Sequence, residues 1–220
     1  MALYLSPPMT TNIIETGDLL FIHPQPNVSS PLSMAVMDTG NATIEWLRDH
    51  GNQPDCTDET ADHVAMAWRN VGNELFFIQA YPPQVTMTSA EDFITSIPLD
   101  TTIYHAKIVN PVYRNAADLA AKIAKSLVGM PYAETFEMPP DYFYCSSLIE
   151  FAFQQAVGMQ IPIFCPVDFI MLFEPPQFWI DYYSLLNLPV PRNVVGTNPT
   201  LMLHSSNLEF SVMDGRDAFE

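Results

Sequence analysis

Residues 141–150 read Asp-Tyr-Phe-Tyr-Cys-Ser-Ser-Leu-Ile-Glu, a polar and aromatic loop that leads into a cysteine. Directly behind the cysteine, apolar residues recur with helical spacing as far as Gly158, which supplies a stop for the helix. The pattern predicts a buried helix with Cys145 in its first turn. There the unpaired backbone N–H groups and the helix dipole favour a thiolate, so we expect the pKa of Cys145 to be lowered. A thiolate attacks carbonyl carbons, although a free cysteine is more often simply a small buried hydrophobic residue.

The composition is that of one folded domain with an acidic surface. The chain has 220 residues, of which 48% are hydrophobic and 15% charged, and its formal net charge is −17. Nucleic acids and anionic membranes both need a cationic face, so this charge argues against both as partners. The N-terminus lacks the pattern of a signal peptide, and no apolar run is long enough to span a bilayer. We therefore expect a single domain over residues 1–220 that is soluble and located in the cytoplasm.

Cysteine usage fits a reducing compartment. Cys56, Cys145 and Cys165 cannot all pair with one another inside the chain, and their spacing matches no zinc motif. No cluster of His, Asp and Glu has the spacing of metal ligands either. We expect neither a metal ion nor another cofactor.

Apolar alternation and turn residues predict an α+β fold, in which helices pack on one face of an antiparallel sheet. The predicted strands are residues 17–22, 63–68, 75–81 and 102–109, the second and third forming a hairpin. Besides the Cys145 helix, the predicted helices are residues 89–94, with Ser89 as N-cap, and residues 115 or 116 to 128, closed by Gly129. Residues 42–49 fit either a short helix or part of a longer excursion.

The predicted core of the domain spans residues 15–175. Residues 1–14 precede it as an irregular arm, and residues 176–220 follow it as a proline-rich, polar extension with a polar tail from Ser205. The apolar segment Ile161–Trp179 is expected to belong to the core or to the interface of a homo-oligomer. Its alternative role is to line an acyl-binding surface.

A nucleophilic cysteine needs a base to take its proton and a third group to hold that base. His63 is the best placed of the five histidines, at the head of an apolar strand, although a histidine at a strand end is more often structural. Gln79 puts an amide into an otherwise apolar strand, so it must find a partner. If the two strands pair, Gln79 can accept a hydrogen bond from the His63 ring and fix its tautomer. The alternative is a core glutamine that bonds to the backbone.

Five short motifs follow one another along the chain: Gly17-Asp18-Leu19-Leu20-Phe21, His63-Val64-Ala65-Met66, Ile78-Gln79-Ala80, Gly129-Met130-Pro131-Tyr132 with Phe136, and Tyr144-Cys145-Ser146-Ser147-Leu148-Ile149. Together they resemble the circularly permuted NlpC/papain-like cysteine amidases of the YiiX/YaeF type, over roughly residues 15–175. In ordinary papain-like enzymes the cysteine precedes the histidine. Here His63 precedes Cys145, which is the order that the permutation implies.

The resemblance implies a role for each matching residue. Cys145 matches the nucleophile, His63 the general base, and Gln79 the residue that orients His63. The residues implied to contact the substrate are Tyr132, Tyr144 and Ser146.

Three positions depart from the family pattern. The family usually has a carboxylate at the position of Gln79, and often Glu at Ser147 and Asp at Ala133. A neutral amide can orient His63, but it stabilises the imidazolium less than a carboxylate would. These departures leave the substrate class open.

The expected function is a cysteine hydrolase that acts through a thiol acyl-enzyme on a small peptide or acyl-amide substrate. The bond cleaved would be an amide, of peptide or γ-glutamyl type, or a related acyl bond. Backbone N–H groups at the helix N-terminus, that of Cys145 included, would hold the oxyanion. The alternatives are a catalytically degenerate binding or scaffold protein, and a lipid acyltransferase or thioesterase on the same fold.

Overall fold

The computed structural model describes residues 14–51, 58–165, 172–192 and 195–213. Within those residues, six strands form one antiparallel sheet in the order β4-β3-β2-β1-β5-β6. The strands are β1 (Leu19–Pro24), β2 (His63–Arg69), β3 (Leu75–Tyr81), β4 (Gln84–Ser89), β5 (Thr101–Ile108) and β6 (Leu208–Val212). The helices are α1 (Pro31–Asp49), α2 (Ala90–Ser96), α3 (Pro111–Ser126), α4 (Cys145–Val157), α5 (Pro176–Leu185) and α6 (Pro199–Leu203). The predicted α+β class is confirmed.

The sheet is covered on both faces because its strands alternate between two apolar sets. One set, with Leu19 and Phe21 of β1, packs into the main core together with the buried faces of α3 and α4. The other set, with Leu20 and Ile22, packs against Phe93 of α2 in a smaller cluster. Helices α3 and α4 thus share one face, as expected, and the short helix α2 covers the other.

Gly17 sets how closely α3 approaches the sheet. Its φ is +87°, and a Cβ at this position would lie only 2.5 Å from Cβ of Ala117 on α3. The buried face of α3 consists of alanines, which lets the helix backbone come this near to the strand. The adjoining Asp18 is fully buried, where its carboxylate accepts hydrogen bonds from Nε2 of His105 at 2.9 Å and from the Arg114 guanidinium at 3.0 Å. The Gly-Asp pair therefore joins β1 to both β5 and α3.

Two helices begin earlier than the sequence predicts. Helix α1 covers residues 31–49 instead of 42–49, and α3 starts at Pro111 instead of residue 115 or 116. In each case a proline occupies the first turn behind a capping residue, Ser30 or Asn110, whose side chain accepts a backbone N–H.

The structure differs most from the prediction directly after β3 and in the C-terminal region beyond residue 175. Pro82 and Pro83 end β3 as predicted, but the chain turns back at once as the edge strand β4. The prediction of a polar tail from Ser205 was wrong for residues 208–212, because these residues form β6 and pair with β5. Trp179 and Tyr183 of α5 and all of α6 are buried, so the residues beyond 175 contribute to the core. Cys56 and most of the N-terminal arm lie outside the described residues.

In the described part of the chain, no helix combines the length and apolarity that crossing a membrane requires.

Candidate active site

Cys145 is the first residue of helix α4, and its position is fixed by the helix cap. The Ser147 hydroxyl accepts the backbone N–H of Tyr144 at 3.0 Å and lies 3.0 Å from the Tyr144 carbonyl oxygen. At the other end of α4, Gly158 adopts a left-handed φ of +67°, which is the predicted stop. Ser147, where the family often has Glu, therefore caps the helix that carries the cysteine.

His63 and Gln79 lie side by side on neighbouring strands. Strands β2 and β3 pair as an antiparallel hairpin, and Nε2 of His63 lies 2.6 Å from Oε1 of Gln79. An amide oxygen can only accept, so Nε2 donates the hydrogen of this bond. In the neutral ring the lone pair is then on Nδ1, which is the nitrogen available as a base.

The cysteine and the histidine line the same cavity, which has a volume of about 160 Å³. Cys145 and His63 both line it, as do Tyr132 and Tyr144, two of the three residues expected to contact a substrate. Gln79 lies behind His63 and lines an adjoining cavity.

Ser146, the third of those residues, faces the protein interior. Its side chain is fully buried, with the hydroxyl 2.9 Å from Oγ1 of Thr197, and it is not among the residues that line the cavity. The first turn of α4 turns this side chain away from the site. Ser146 therefore contributes its backbone N–H to the site, and not its side chain.

The pKa of the Cys145 thiol differs from the predicted one. Burial raises the pKa of Cys145 to about 12, and the charge of Asp62 acts in the same direction. Hydrogen bonding from the backbone at Val64, Ser146 and Cys145 itself lowers the pKa, as the helix N-terminus predicts, but by less than burial raises it. The expectation of a lowered pKa was wrong because it left out the desolvation of a side chain that is only 6% exposed.

Burial also lowers the pKa of His63, and this effect exceeds the opposing contributions of the Asp62 charge and the Gln79 hydrogen bond. At neutral pH both side chains are therefore neutral, a thiol and an imidazole that line the same cavity. Such a pair transfers its proton as the sulfur attacks, rather than beforehand.

Sequence reasoning missed Asp62, a third ionisable group at the site. It precedes His63, lines the cavity, and its backbone N–H donates to the Ile22 carbonyl oxygen at 3.0 Å. Burial raises the pKa of this carboxyl, while the Ser33 hydroxyl and the His63 charge lower it. The signal available in the sequence was its place next to the histidine at the end of an acidic loop.

The C-terminal region supplies one wall of the site. The Tyr144 hydroxyl accepts the backbone N–H of Thr197 at 2.8 Å, and Asn198 donates to the Val36 carbonyl oxygen at 2.9 Å. Thr197 and Asn198 also line the cavity. Nothing in the sequence marks these two residues, because only the folded chain brings them to Tyr144.

The remaining wall is aromatic. The Phe136 ring contacts Tyr144 and Trp179, each at 5.5 Å between ring centroids, and Phe173 packs on Trp179 at 5.1 Å. Phe173 and Trp179, which belong to the apolar segment 161–179, both line the cavity. Trp179 is also buried in the core, and Phe173 packs against that core. Among the described residues that line the cavity there is neither lysine nor arginine, and the carboxylate among them is that of Asp62.

Among the described residues, no group of three or more His, Cys, Asp or Glu side chains is arranged to hold a metal ion.

Comparisons with known proteins agree with the resemblance seen in the motifs. The family described as permuted papain-like amidase enzymes, YaeF/YiiX, matches residues 13–211. The crystal structure of the metalloprotein yiiX from Escherichia coli O157:H7 is similar in fold, with a TM-score of 0.61. It is 18% identical in sequence, and the similarity covers 90% of this chain and 96% of that one. No curated protein matches the chain.

Proposed function

The chain belongs to the permuted papain-like amidase family, and we propose that it cleaves an amide or a related acyl bond through an acyl-thioester on Cys145. The resemblance drawn from the five motifs is thereby confirmed, and with it the class of cysteine hydrolase. The observation that carries the proposal is one cavity lined by Cys145 and His63, with Gln79 holding the histidine ring from behind.

In the acylation step, the Cys145 sulfur attacks the substrate carbonyl carbon while Nδ1 of His63 takes the thiol proton. The oxygen of the tetrahedral intermediate accepts hydrogen bonds from the backbone N–H groups of Cys145 and Ser146, which the helix leaves unpaired. His63 then gives the proton to the leaving nitrogen, and the C–N bond breaks. Water then attacks the thioester carbonyl carbon while His63 takes its proton. The C–S bond breaks and His63 returns the proton to the sulfur, which releases the acid and restores the thiol.

Gln79 orients the ring in this scheme without adding charge. The imidazolium that forms during each step is stabilised less than it would be beside a carboxylate. The buried Asp62 carboxyl contributes charge of the favourable sign, since its charge raises the pKa of His63.

The cavity lining favours an uncharged, apolar acyl group. Aromatic side chains from Tyr132, Phe136, Phe173 and Trp179 form much of the wall. The part of the lining that the structure describes provides neither lysine nor arginine for a substrate carboxylate. A γ-glutamyl group carries a free carboxylate, which would have to lie in this cavity without a cation. We therefore favour a short apolar acyl-amide over a γ-glutamyl substrate.

A matched pair of cysteine variants tests the proposal. Incubation with p-nitrophenyl hexanoate should leave a hexanoyl group on the wild-type chain, detected by mass spectrometry of the intact protein and mapped to Cys145. Cys145→Ala should lose the adduct and the release of nitrophenol. Cys165→Ala should keep both, since Cys165 is equally buried but does not line the cavity.

The same assay separates the enzyme from a degenerate binding protein and compares substrates. Hexanoyl p-nitroanilide should be cleaved at least about tenfold faster than γ-glutamyl p-nitroanilide, because a buried unpaired carboxylate is costly. If neither substrate nor the ester gives Cys145-dependent turnover, the chain is a binding protein on this fold.

A further inference from the structure

A second cavity, of about 530 Å³, adjoins the one that contains the cysteine. The two share Ser30, Ser33, Asp62, His63 and Tyr81 as lining residues. The thiol is reached from the first cavity, and the glutamine behind the histidine from the second. His63 is therefore one of the residues at which the two cavities meet.

Unpaired polar atoms are concentrated around this second cavity. In the described part of the chain, five buried side-chain oxygen or nitrogen atoms lack a hydrogen-bond partner. Three of them, Oδ1 of Asp62 and the hydroxyls of Thr88 and Thr101, belong to residues that line this one cavity. Leaving a buried polar atom unpaired costs free energy, so a ligand that hydrogen-bonds to these atoms would be stabilised by the bonds that they lack.

The charge of the lining restricts that ligand. Asp62 and Asp92 both line the cavity, together with serine and threonine residues, and its described lining residues include neither lysine nor arginine. Carboxylates and phosphates would be repelled, whereas amines and alcohols can donate to the carboxylate and hydroxyl oxygens. The first cavity has an aromatic wall instead, so the two cavities suit different halves of one substrate.

We propose that the second cavity binds the amine side of the reaction, a small primary amine that carries hydroxyl groups, as leaving group or as acyl acceptor. This rests on the proposed function, because it assigns the acyl half of the substrate to the first cavity. The general base must reach the proton of the leaving or attacking nitrogen, and His63 lines both cavities.

As an acceptor, the neutral amine attacks the carbonyl carbon of the thioester on Cys145. The new C–N bond forms, the C–S bond breaks, and the proton lost by nitrogen passes through His63 to the sulfur. The products are an amide and the free thiol, so the step needs no further reactant. Cleavage of such an amide is the same sequence in reverse.

Three amines with one carbon skeleton test the ligand class. Serinol carries two hydroxyls on 2-aminopropane, isopropylamine carries none, and serine replaces one hydroxymethyl group by a carboxylate. With p-nitrophenyl hexanoate as acyl donor, nitrophenol reports acylation and mass spectrometry measures the amide formed. The amide yields are compared at equal concentrations of the neutral, unprotonated amine. Amide formation should saturate with serinol, should be lower and linear in concentration with isopropylamine, and should be lowest with serine.

Isosteric threonine variants test the location. Thr88→Val and Thr101→Val should each raise the half-saturating serinol concentration about fivefold, the effect of one hydrogen bond, while the ester still acylates Cys145. Thr102→Val is the matched control one residue along β5, because Thr102 lines neither cavity, and it should change nothing. Linear amide yields that follow only amine basicity, or equal behaviour of all three variants, would overturn the proposal.

A binding measurement separates this proposal from the proposed function. Calorimetric titration of Cys145→Ala with serinol detects the second cavity without any chemistry. Saturable binding of serinol but not serine, weakened when Thr88→Val is added, would support the site even if no ester were turned over. Absence of binding to both Cys145→Ala and the wild type would exclude it, whatever the activity.

Discussion

Nε2 of His63 and Oε1 of Gln79 lie 2.6 Å apart on two neighbouring antiparallel strands, and this contact determines which ring nitrogen can act as the base. Because the amide oxygen only accepts, Nε2 keeps its hydrogen and Nδ1 keeps its lone pair. The amide adds no charge, so Gln79 orients the ring and raises its pKa less than a carboxylate at this position would. Burial lowers the pKa of His63, which keeps the ring neutral at neutral pH.

Gln79→Glu should change the pH dependence of the reaction in a defined direction. A carboxylate beside Nε2 favours the imidazolium and so raises the pKa of His63. Since the base works in its neutral form, we expect the acidic limb of the kcat/KM profile to move up by about one pH unit. At pH 8 the activity should be equal to or above that of the wild type. The measurement is kcat/KM against pH with p-nitrophenyl hexanoate.

Gln79→Met is the control for this prediction, because it keeps the size of the side chain and removes the acceptor. It should lower kcat/KM about a hundredfold at every pH, since the ring loses its fixed tautomer. A folded Gln79→Glu protein without activity would contradict the role given to Gln79.

The Cys145 thiol should alkylate like a buried thiol, not like a preformed thiolate. Because burial raises its pKa to about 12, the thiolate fraction grows about tenfold per pH unit up to that value. The rate of iodoacetamide labelling at Cys145, read by peptide mass spectrometry, should therefore rise steadily from pH 7 to pH 10. Labelling that levels off below pH 8 would show an ion pair with His63 instead.

Cys165 is the internal standard for this experiment. Burial raises its pKa as well, and it lies outside both cavities, so its labelling should be slower at each pH. His63→Ala should leave the slope for Cys145 unchanged, since the imidazole is neutral and not an ion-pair partner.

How much the sequence predicts depends on the range of the interactions. Helix α4 and the β2–β3 hairpin are predicted because apolar periodicity, the terminal glycine and the turn are local signals. These signals are enough to indicate Cys145, His63 and Gln79 as candidate site residues. The wall formed by Thr197 and Asn198 does not follow from them, because it depends on packing between residues far apart in the chain.

The errors have physical causes of the same kind. The lowered pKa expected for Cys145 rests on the helix N-terminus alone, whereas the opposing effect of burial is a property of the whole fold. The proline pair at 82 and 83 predicts the end of a strand but not the edge strand β4 that follows, although prolines are compatible with a turn into an edge strand. In α1, Gly40 allows the side chains of Asn198 and Thr200 to approach the helix, which no local pattern shows.

Glu150 should make stability depend on pH. This carboxyl of α4 is 1% exposed and accepts the backbone N–H groups of Ile163 and Phe164. Burial raises its pKa from 4.5 to about 7, so the folded state keeps the proton in a range where the unfolded state releases it. The stability that the protonated carboxyl contributes is therefore complete below pH 4.5 and is lost as the pH rises through 7. The total loss is about 3 kcal/mol of unfolding free energy.

Glu150→Gln isolates this contribution, because glutamine is a neutral isostere that cannot ionise. The free energy of urea unfolding, measured for both proteins at about pH 4.5 and about pH 8, should shift in favour of the variant by about 3 kcal/mol between the two values. A difference between the proteins that stays constant with pH would mean that Glu150 ionises as it does in water.

Gly17→Ala should destabilise the fold through two separable effects. The positive φ of +87° strains any residue with a Cβ, at about 1–2 kcal/mol, and the new methyl group would also overlap Ala117 on α3. Gly158→Ala provides the matched control, because its φ is +67° and nothing lies within 4 Å of the added Cβ. Gly158→Ala should therefore cost about 1–2 kcal/mol of unfolding free energy, and Gly17→Ala about 1–3 kcal/mol more, from overpacking. Adding Ala117→Gly to Gly17→Ala removes the closest overlap, that with the Ala117 Cβ, but not the strain. The double variant is compared with Gly17→Ala by urea unfolding, after allowing for the cost of a glycine inside a helix. If its unfolding free energy is then no higher, the close approach of α3 is not what requires glycine at position 17.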